Sequence, residues 1–240
     1  MKAGMTIMRK IAALFLIFAS LYAVCGCQNN ESDIRGEYEH NTESINIESS
    51  VDTAETAAPE EAFSFGTTAE NVYVNDFIGI RYELDDGWTF YTDEQIQELN
   101  NLSSEAFDAD VQKMIEEATV IYDMMAFDSD NLNGVNINLE KVSNLQLMAL
   151  DIAENYKLLA PIITDTFANM GFENISYEIS DIEVDGKTMP ALHTTAEING
   201  IGMYQTAFQK KCSGYLANIT VTTYFENTTS DLIGNFTWID

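Results

Sequence analysis

The hydrophobic residues in the middle of the chain alternate with polar ones in short runs, which is the pattern of half-buried β-strands. Such runs lie at Val72–Val74, Ile78–Leu84 and Val135–Val142, with turn-forming residues between them. Thr119–Phe127 is apolar at almost every position, as in a strand that is covered on both faces. The pattern therefore predicts two strand pairs before the last third of the chain.

The last third of the chain predicts an antiparallel meander of four strands. Asp185-Gly186 separates Ile175–Val184 from Lys187–Ile198, and Asn199-Gly200 follows; both dipeptides are preferred in two-residue type I′ turns. A strand over Tyr215–Phe225 closes the meander. With Asn199-Gly200 as the turn, the register pairs Ala196 with Met203, Leu192 with Ala207 and Ala191 with Phe208.

Four segments predict helices. Thr92–Gln95 has the spacing of a capping box before a short helix, and Ser103–Ile115 carries an apolar stripe at helical spacing. Leu145–Met170 predicts the longest helix, which Pro161 should kink or divide, and Ser230–Gly234 predicts a terminal one. Strand pairs, helices and a closing meander in this order predict an α+β fold and exclude alternating βαβ winding.

The order of elements and one short motif resemble the PsbP-like group, which includes DcrB-type bacterial lipoproteins and the Ran-binding Mog proteins. The segment Ile80–Trp88 ends in Gly87-Trp88 and is similar to the Leu-Pro-x-Gly-Trp signature of that group, with Asp85 where proline is usual. The resemblance implies an antiparallel sheet with helices packed on both faces, an α/β/α sandwich, over residues 71–240. It also implies a binding or scaffold role, and it supplies no catalytic residues.

The amino terminus has the features of an export signal. Ile11–Val24 is an uncharged apolar run after three basic residues, too short to span a bilayer comfortably as a helix. It ends in Val24-Cys25-Gly26-Cys27, which resembles the lipobox of bacterial lipoproteins. The resemblance implies that residues 1–26 are a signal peptide and that Cys27 carries acyl chains that anchor the protein in the membrane. A plain secretory signal and an uncleaved anchor are the alternatives.

The chain is strongly acidic, with a formal net charge of −28. Removal of residues 1–26 leaves eight basic residues against thirty-nine acidic ones, a charge of −31. Such a surface disfavours nucleic acids and anionic lipid headgroups. Residues 28–70 contain eleven acidic residues against Arg35 alone and have no sustained apolar period. Together with the lipidated Cys27, the segment 27–70 is therefore predicted to be a disordered acidic linker.

The sequence contains few residues of the kinds that catalyse reactions. It has no Gly-x-Ser-x-Gly elbow, Gly-rich phosphate loop or zinc-ligand spacing, so no cofactor is expected. His193 lies in the middle of a predicted strand, where a structural or exposed role is favoured over a general base. Cys212 is the one thiol left after processing, and Lys210-Lys211 beside it could lower its pKa.

The best metal-binding candidates are Asp128, Asp130 and Asn133, which precede Gly134. The segment departs from the EF-hand pattern because Leu132 and Leu139 occupy two of the ligand positions. A calcium site in this loop remains one interpretation, and a hairpin turn explains the same residues.

These observations predict a membrane-anchored extracytoplasmic lipoprotein whose α+β domain binds an envelope or extracellular component, such as a protein, without catalysis. The expected contact surface is an exposed polar face of the meander, formed by Thr194, Thr195, Gln205, Thr220 and Thr222. Two other classes remain open. One is a hydrolase with a carboxylate pair that the sequence does not reveal, and the other is a structural module stabilised by calcium.

Overall fold

The computed structural model describes residues 63–100 and 120–239. Its elements, in chain order, are β1 (Thr67–Ala69), β2 (Val72–Asn75), β3 (Ile80–Glu83), β4 (Trp88–Phe90), α1 (Asp93–Leu99), β5 (Val120–Asp128), β6 (Gly134–Lys141), α2 (Asn144–Ala149), α3 (Ile152–Asn169), β7 (Glu173–Val184), β8 (Lys187–Ile198), β9 (Ile201–Cys212), β10 (Tyr215–Tyr224), α4 (Thr229–Ile233) and β11 (Phe236–Trp238). The α+β class is confirmed, and strands predominate among the described residues.

Seven strands form a large antiparallel sheet in the order β4-β5-β6-β10-β9-β8-β7. The three predicted pairs across the β8–β9 turn are confirmed. Asp185, Gly186, Asn199 and Gly200 all have positive φ angles, as type I′ turns require. Both hairpins therefore follow from their turn residues. Strand β10 ends one residue earlier than predicted, because Phe225 has a φ of 68° and an exposed side chain.

One side of the large sheet, which we call the sheet-facing side, packs against a second sheet. Strands β1-β2-β3-β11 form this smaller antiparallel sheet, in which β11 pairs with β3 through Phe236 and Tyr82. Their side chains share a core with residues of the large sheet such as Ile137, Phe208 and Ile219. The short helix α4 adds Leu232 and Ile233 to the same core.

The opposite side, which we call the helix-facing side, carries the longer helices of the described chain. Helix α3 packs against β7 and β8, and α1 packs against β5. Their contacts form a second core, which includes Ile96, Tyr156 and Phe167. The expectation of helices on both faces is therefore met on one side only, since mainly strands cover the other. Sequence reasoning missed this because the three-residue strands are too short to show a clear alternation.

The predicted long helix is two helices, and its division does not lie at the proline. The chain breaks at Leu150-Asp151, where the Asp151 carboxylate accepts a hydrogen bond from the Glu154 backbone N–H at 3.1 Å and caps α3. Pro161 lies inside α3 on its exposed side, where water can bind the carbonyl that proline leaves without a donor. The predicted helix at Ser103–Ile115 lies outside the described residues.

The described chain is packed from residue 63 onward, earlier than the predicted domain start at residue 71. Phe63 and Phe65 pack against the sheet-facing core, and β1 pairs with β2. Within residues 63–100 and 120–239, no helix has both the length and the apolarity to cross a bilayer.

A buried polar panel as candidate functional site

Nine positions of the large sheet form a polar patch at its centre, on the helix-facing side. Three neighbouring strands, β6, β10 and β9, each contribute every second residue, so the positions form three cross-strand rows. We call this patch the polar panel. Its rows are Asn138–Asn218–Gln209, Asn136–Thr220–Ala207 and Gly134–Thr222–Gln205.

The seven polar side chains of the panel are buried, with no more than 3% of any side chain exposed. Four of them form a chain of amides in which each NH₂ group donates to the next carbonyl oxygen. Gln209 donates to Asn218 at 2.7 Å, Asn218 to Asn138 at 3.2 Å, and Asn138 to Asn136 at 3.4 Å. Gln205 Nε2 donates separately to Thr222 Oγ1 at 2.8 Å. These bonds fix the orientation of the amide groups.

Several polar atoms of the panel have no hydrogen-bond partner in the described part of the chain. They are Asn136 Nδ2, Gln205 Oε1, Gln209 Oε1 and Thr220 Oγ1, and the hydroxyl of the adjoining Tyr224 shares this property. The amide chain therefore has an unused acceptor at its Gln209 end and an unused donor at its Asn136 end. Buried polar atoms without partners are uncommon in folded proteins, and here five of them cluster in one part of the sheet that is closed to solvent.

Apolar side chains border the panel on both sides. Met125 and Phe127 of β5 lie on one flank beneath α1, and Leu192 of β8 lies on the other beneath α3. Three of the panel positions, Thr220, Ala207 and Gly134, carry small residues. The panel is thus a patch of small and amide side chains with apolar side chains on both flanks.

Charge is absent from the nine panel positions and appears only at their edge. Glu140, the next residue of β6 on this side, has its pKa raised to about 7 because burial removes water from the carboxyl group. Lys211 of β9 lies in the same row, is exposed, and donates a hydrogen bond to the Leu150 carbonyl oxygen at 2.6 Å. The panel itself is electrically neutral.

The contact surface predicted from the sequence is not an exposed face. Thr194, Gln205, Thr220 and Thr222 are buried on the helix-facing side. Thr195 lies on the other side of the sheet and hydrogen-bonds Ser176 across the strand pair at 2.7 Å. The polar face of an antiparallel strand is usually exposed to water, so the alternation of polar and apolar residues alone predicted that these side chains are exposed. The position of β10 and β9 inside the sheet, which decides their burial, is not visible in the alternation.

The candidate metal loop is organised by hydrogen bonds. Asp128 accepts from the Leu132 backbone N–H at 2.9 Å and from Asn133 Nδ2 at 2.8 Å, so both carboxylate oxygens serve the β5–β6 turn. Asn133 Oδ1 accepts from the Tyr224 backbone N–H at 2.8 Å. Asp130 is exposed. Over the described ranges, no three His, Cys, Asp or Glu side chains lie close enough together to hold a metal ion.

His193 and Cys212 both occupy structural positions. His193 is half-buried and shares a hydrogen bond with the Thr206 hydroxyl at 3.0 Å, and burial lowers its pKa. The Cys212 thiol is directed at the Tyr215 carbonyl oxygen at 3.4 Å. Burial raises the pKa of Cys212 to about 11, and the charge of Lys210 opposes this shift without overcoming it. The lysine neighbours, which the sequence left open as a means of lowering this pKa, therefore do not offset the effect of burial.

The carboxylates with raised pKa values do not converge. Asp123 lies on the sheet-facing side, where burial raises its pKa while Tyr73, Asn75 and Gly66 donate hydrogen bonds to it. Glu140 lies on the helix-facing side. An open groove of about 520 Å³ near Trp88 contains further acids, of which Glu94 has a pKa lowered by a backbone hydrogen bond. The two carboxyl groups with raised pKa values, Asp123 and Glu140, therefore lie on opposite sides of the large sheet and do not form a pair.

Comparisons with known proteins do not assign the chain to a family. No protein-family model matches it, and no curated protein matches it significantly. Among solved structures, the crystal structure of LpqN, described as involved in cell envelope biogenesis of Mycobacterium tuberculosis, aligns with a TM-score of 0.37 and 11% identity. The alignment covers 67% of this chain and 83% of that one. A likeness at this level carries no inference about function.

Proposed function

We propose that this chain is an extracytoplasmic lipoprotein, anchored in the bacterial cell membrane through Cys27, whose domain binds a component of the envelope or its surroundings without catalysis. The signal-like segment and the lipobox resemblance support the location. Residues 1–62, including Cys27, lie outside the described part of the chain.

An open groove of about 520 Å³ beside Trp88 is the observation that supports a binding role, because a concave surface is where an outside molecule can reach the protein. The polar panel is closed to solvent, so its groups face no outside molecule in this structure. His193 and Cys212 of the described chain have structural roles, as their hydrogen-bond partners and the directions of their pKa shifts indicate. A non-catalytic module is therefore favoured over the hydrolase, and the hydrogen-bonded β5–β6 turn gives no added support to a calcium module.

Lipid labelling of the full chain in a bacterial host tests the location. Cells fed an alkyne analogue of palmitate should incorporate it into the wild-type protein, which should fractionate with the membrane. Cys27→Ser should lose the label, whereas Cys25→Ser should keep it. Equal labelling of all three proteins, or none in any, would remove the lipoprotein proposal.

Native mass spectrometry of the full chain, purified in mild detergent from its host, tests the binding role. A bound component should appear as added mass that disappears on denaturation. Wild-type protein that carries no such mass, and to which an envelope extract adds none, contradicts the binding function.

A further inference from the structure

We propose that the outer edge of strand β7 binds an extended, basic peptide segment of a partner protein, which adds a further strand to the large sheet. Strand β7 and the groove beside Trp88 on β4 lie at opposite edges of that sheet. The inference therefore goes beyond the proposed function, and its test depends neither on the groove nor on lipidation. It follows from the length of this edge, the backbone groups directed outward from it and its charge.

Strand β7 is the longest open edge among the described strands. It has twelve residues and ends the large sheet on one side, whereas the opposite edge strand, β4, has three. The edge strands of the small sheet, β1 and β11, also have three residues each. Short edge strands protect a protein from pairing with other chains, and β7 lacks this protection. Its register with β8 is irregular between Glu173 and Ser176, and Ser176–Val184 is regular and contains no proline.

The turn after β7 fixes which backbone groups of the strand are directed outward. Because Asp185-Gly186 is a two-residue turn, Val184 and Lys187 form a hydrogen-bonded pair, and β7 bonds β8 through every second residue from Val184 backward. Pro190 lies opposite Asp181 in this register, at a position where no donor toward β7 is needed. The residues between the bonded pairs direct their N–H and C=O groups away from β8. They are Tyr177, Ile179, Asp181 and Glu183.

No strand of the described chain occupies the outer side of β7. The sheet ends at this strand, and none of the four outward residues makes a backbone hydrogen bond to a loop or turn within residues 63–100 and 120–239. Helix α3 packs against one face of β7 and leaves the edge uncovered. The side chains of Tyr177, Asp181 and Glu183 are exposed. A row of donors and acceptors with ladder spacing is therefore accessible from solvent, and an extended chain is the partner that matches it.

The charge of the strand selects a basic partner. Four acidic side chains of β7 are exposed, and the strand contains no Lys or Arg. They are Glu173, Glu178, Asp181 and Glu183. Lys187 follows the turn, with its ammonium group over the Trp238 ring. A second copy of this chain would place two such acidic edges against each other in a protein of formal net charge −28, so self-pairing is disfavoured. Lysine or arginine side chains on an added strand would lie opposite the acids instead.

The alternation of side chains on β7 defines the pattern expected of the peptide. Ile179 contributes to the helix-facing core, so Asp181 and Glu183 lie on the same side of the sheet. A basic residue at every second position of the added strand would face these two acids. The residues between them would face the other side of β7, where Ser176 and Ser180 alternate with Glu178. A peptide that alternates lysine and threonine fits both sides.

The binding experiment uses the full chain in mild detergent and three synthetic peptides, each about as long as the regular stretch Ser176–Val184. The first peptide alternates lysine and threonine. The second has the same sequence with every backbone amide N-methylated, which keeps the charge and removes the donors of the ladder. The third alternates glutamate and threonine. Fluorescence anisotropy should show saturable binding of the lysine peptide, binding of its N-methylated form that is weaker by about tenfold or more, and no saturable binding of the glutamate peptide.

Amide hydrogen exchange measured by NMR locates the bound peptide. Saturating lysine peptide should slow exchange about tenfold or more at Tyr177, Ile179, Asp181 and Glu183, because these amides gain acceptors. The amides of Glu178 and Ser180 already bond β8 and should change less. Those of β4, at the opposite edge of the large sheet, should not change.

Asp181→Pro and Asp181→Ala form a matched pair of variants. Both remove the exposed carboxylate, but only proline also removes the outward N–H and obstructs the added strand. Proline is tolerated at an edge position whose N–H faces solvent. Asp181→Ala should weaken binding of the lysine peptide by no more than about fivefold, the loss of one cross-strand charge pair. Asp181→Pro should weaken it by about tenfold more than that.

Four results would overturn the inference. The first is the absence of saturable binding by the lysine peptide. The second is equal binding of its N-methylated form, or equal effects of the two Asp181 variants, since either would show attraction of charge without strand pairing. The third is slowed exchange that does not select the four outward amides, which decides the question even if Asp181→Pro fails to fold. The fourth is protection of those amides that rises with protein concentration in the absence of peptide, which would identify a second copy as the occupant.

Failure of this inference is distinguishable from failure of the proposed function. Lipid labelling reports on Cys27, and native mass spectrometry reports on a component carried from the host. Neither measurement involves the synthetic peptides, so the edge of β7 can be excluded while the proposed function stands.

Discussion

Replacement of Thr220 by valine should stabilise the protein. The side chain is 1% exposed, and its hydroxyl has no partner in the described chain. A buried hydroxyl without a hydrogen bond costs about 1–3 kcal/mol, and the methyl group that replaces it adds about 0.8 kcal/mol of apolar burial. Because the two side chains have nearly the same shape, little of this gain should be lost to repacking. We expect a net stabilisation of about 2–4 kcal/mol.

The assay is chemical denaturation of the full chain in mild detergent, followed by tryptophan fluorescence. The free energy of unfolding should rise with an unchanged m-value, and thermal unfolding should shift upward by about 2–4 °C per kcal/mol. Thr223→Val should behave in the same way, since Thr223 is fully buried with an unpartnered hydroxyl. A loss of stability in Thr220→Val would refute the reasoning, because it would mean that the hydroxyl is satisfied in the folded protein.

Three further predictions concern groups outside the panel. Asp123→Ala should destabilise the fold by about 3–5 kcal/mol in urea denaturation, because it leaves several buried donors without an acceptor; amide exchange at Gly66 should accelerate most, and an unchanged midpoint would contradict this. Glu140 has a higher pKa in the folded protein than its ordinary 4.5, so the folded state binds the proton more tightly and stability should fall as the pH rises from about 4.5 to about 7. Glu140→Gln should flatten that part of the pH profile, whereas Glu183→Gln, which changes an exposed acid of β7, should not. Cys212 should react with a disulfide reagent at pH 8 more slowly than free cysteine, since burial favours its thiol form; equal rates would refute this.

Local chemistry explains which parts of the fold could be predicted. The Asp185-Gly186 and Asn199-Gly200 turns fix the register of three long strands, because positive φ angles at these positions leave few alternatives. The capping box at Thr92 likewise places α1. The pairing of β11 with β3 was missed because the two strands are more than a hundred residues apart, and a three-residue segment carries no periodic pattern.

The candidate site was recognised in part and assigned to the wrong environment. Thr220, Thr222 and Gln205 were identified as a functional surface because of their polarity, yet they are buried. Their burial depends on the order of strands in the large sheet, with β10 between β6 and β9, and on helices at either flank. Asn136, Asn138 and Asn218 were not identified, although their spacing at every second position matches the same face.

The energetic cost of the panel argues that it is maintained for a purpose other than stability. Each of its four unpartnered atoms costs about 1–3 kcal/mol when buried, so the set costs about 4–12 kcal/mol. That sum is comparable with the whole free energy of unfolding of an ordinary domain, about 5–15 kcal/mol. Apolar side chains at the same positions would pack between Met125 and Phe127 on one flank and Leu192 on the other, without this cost. What the panel supplies is register: a one-residue slip of β6 or β9 against β10 would break the chain of amide hydrogen bonds, so these side chains favour one pairing of the strands.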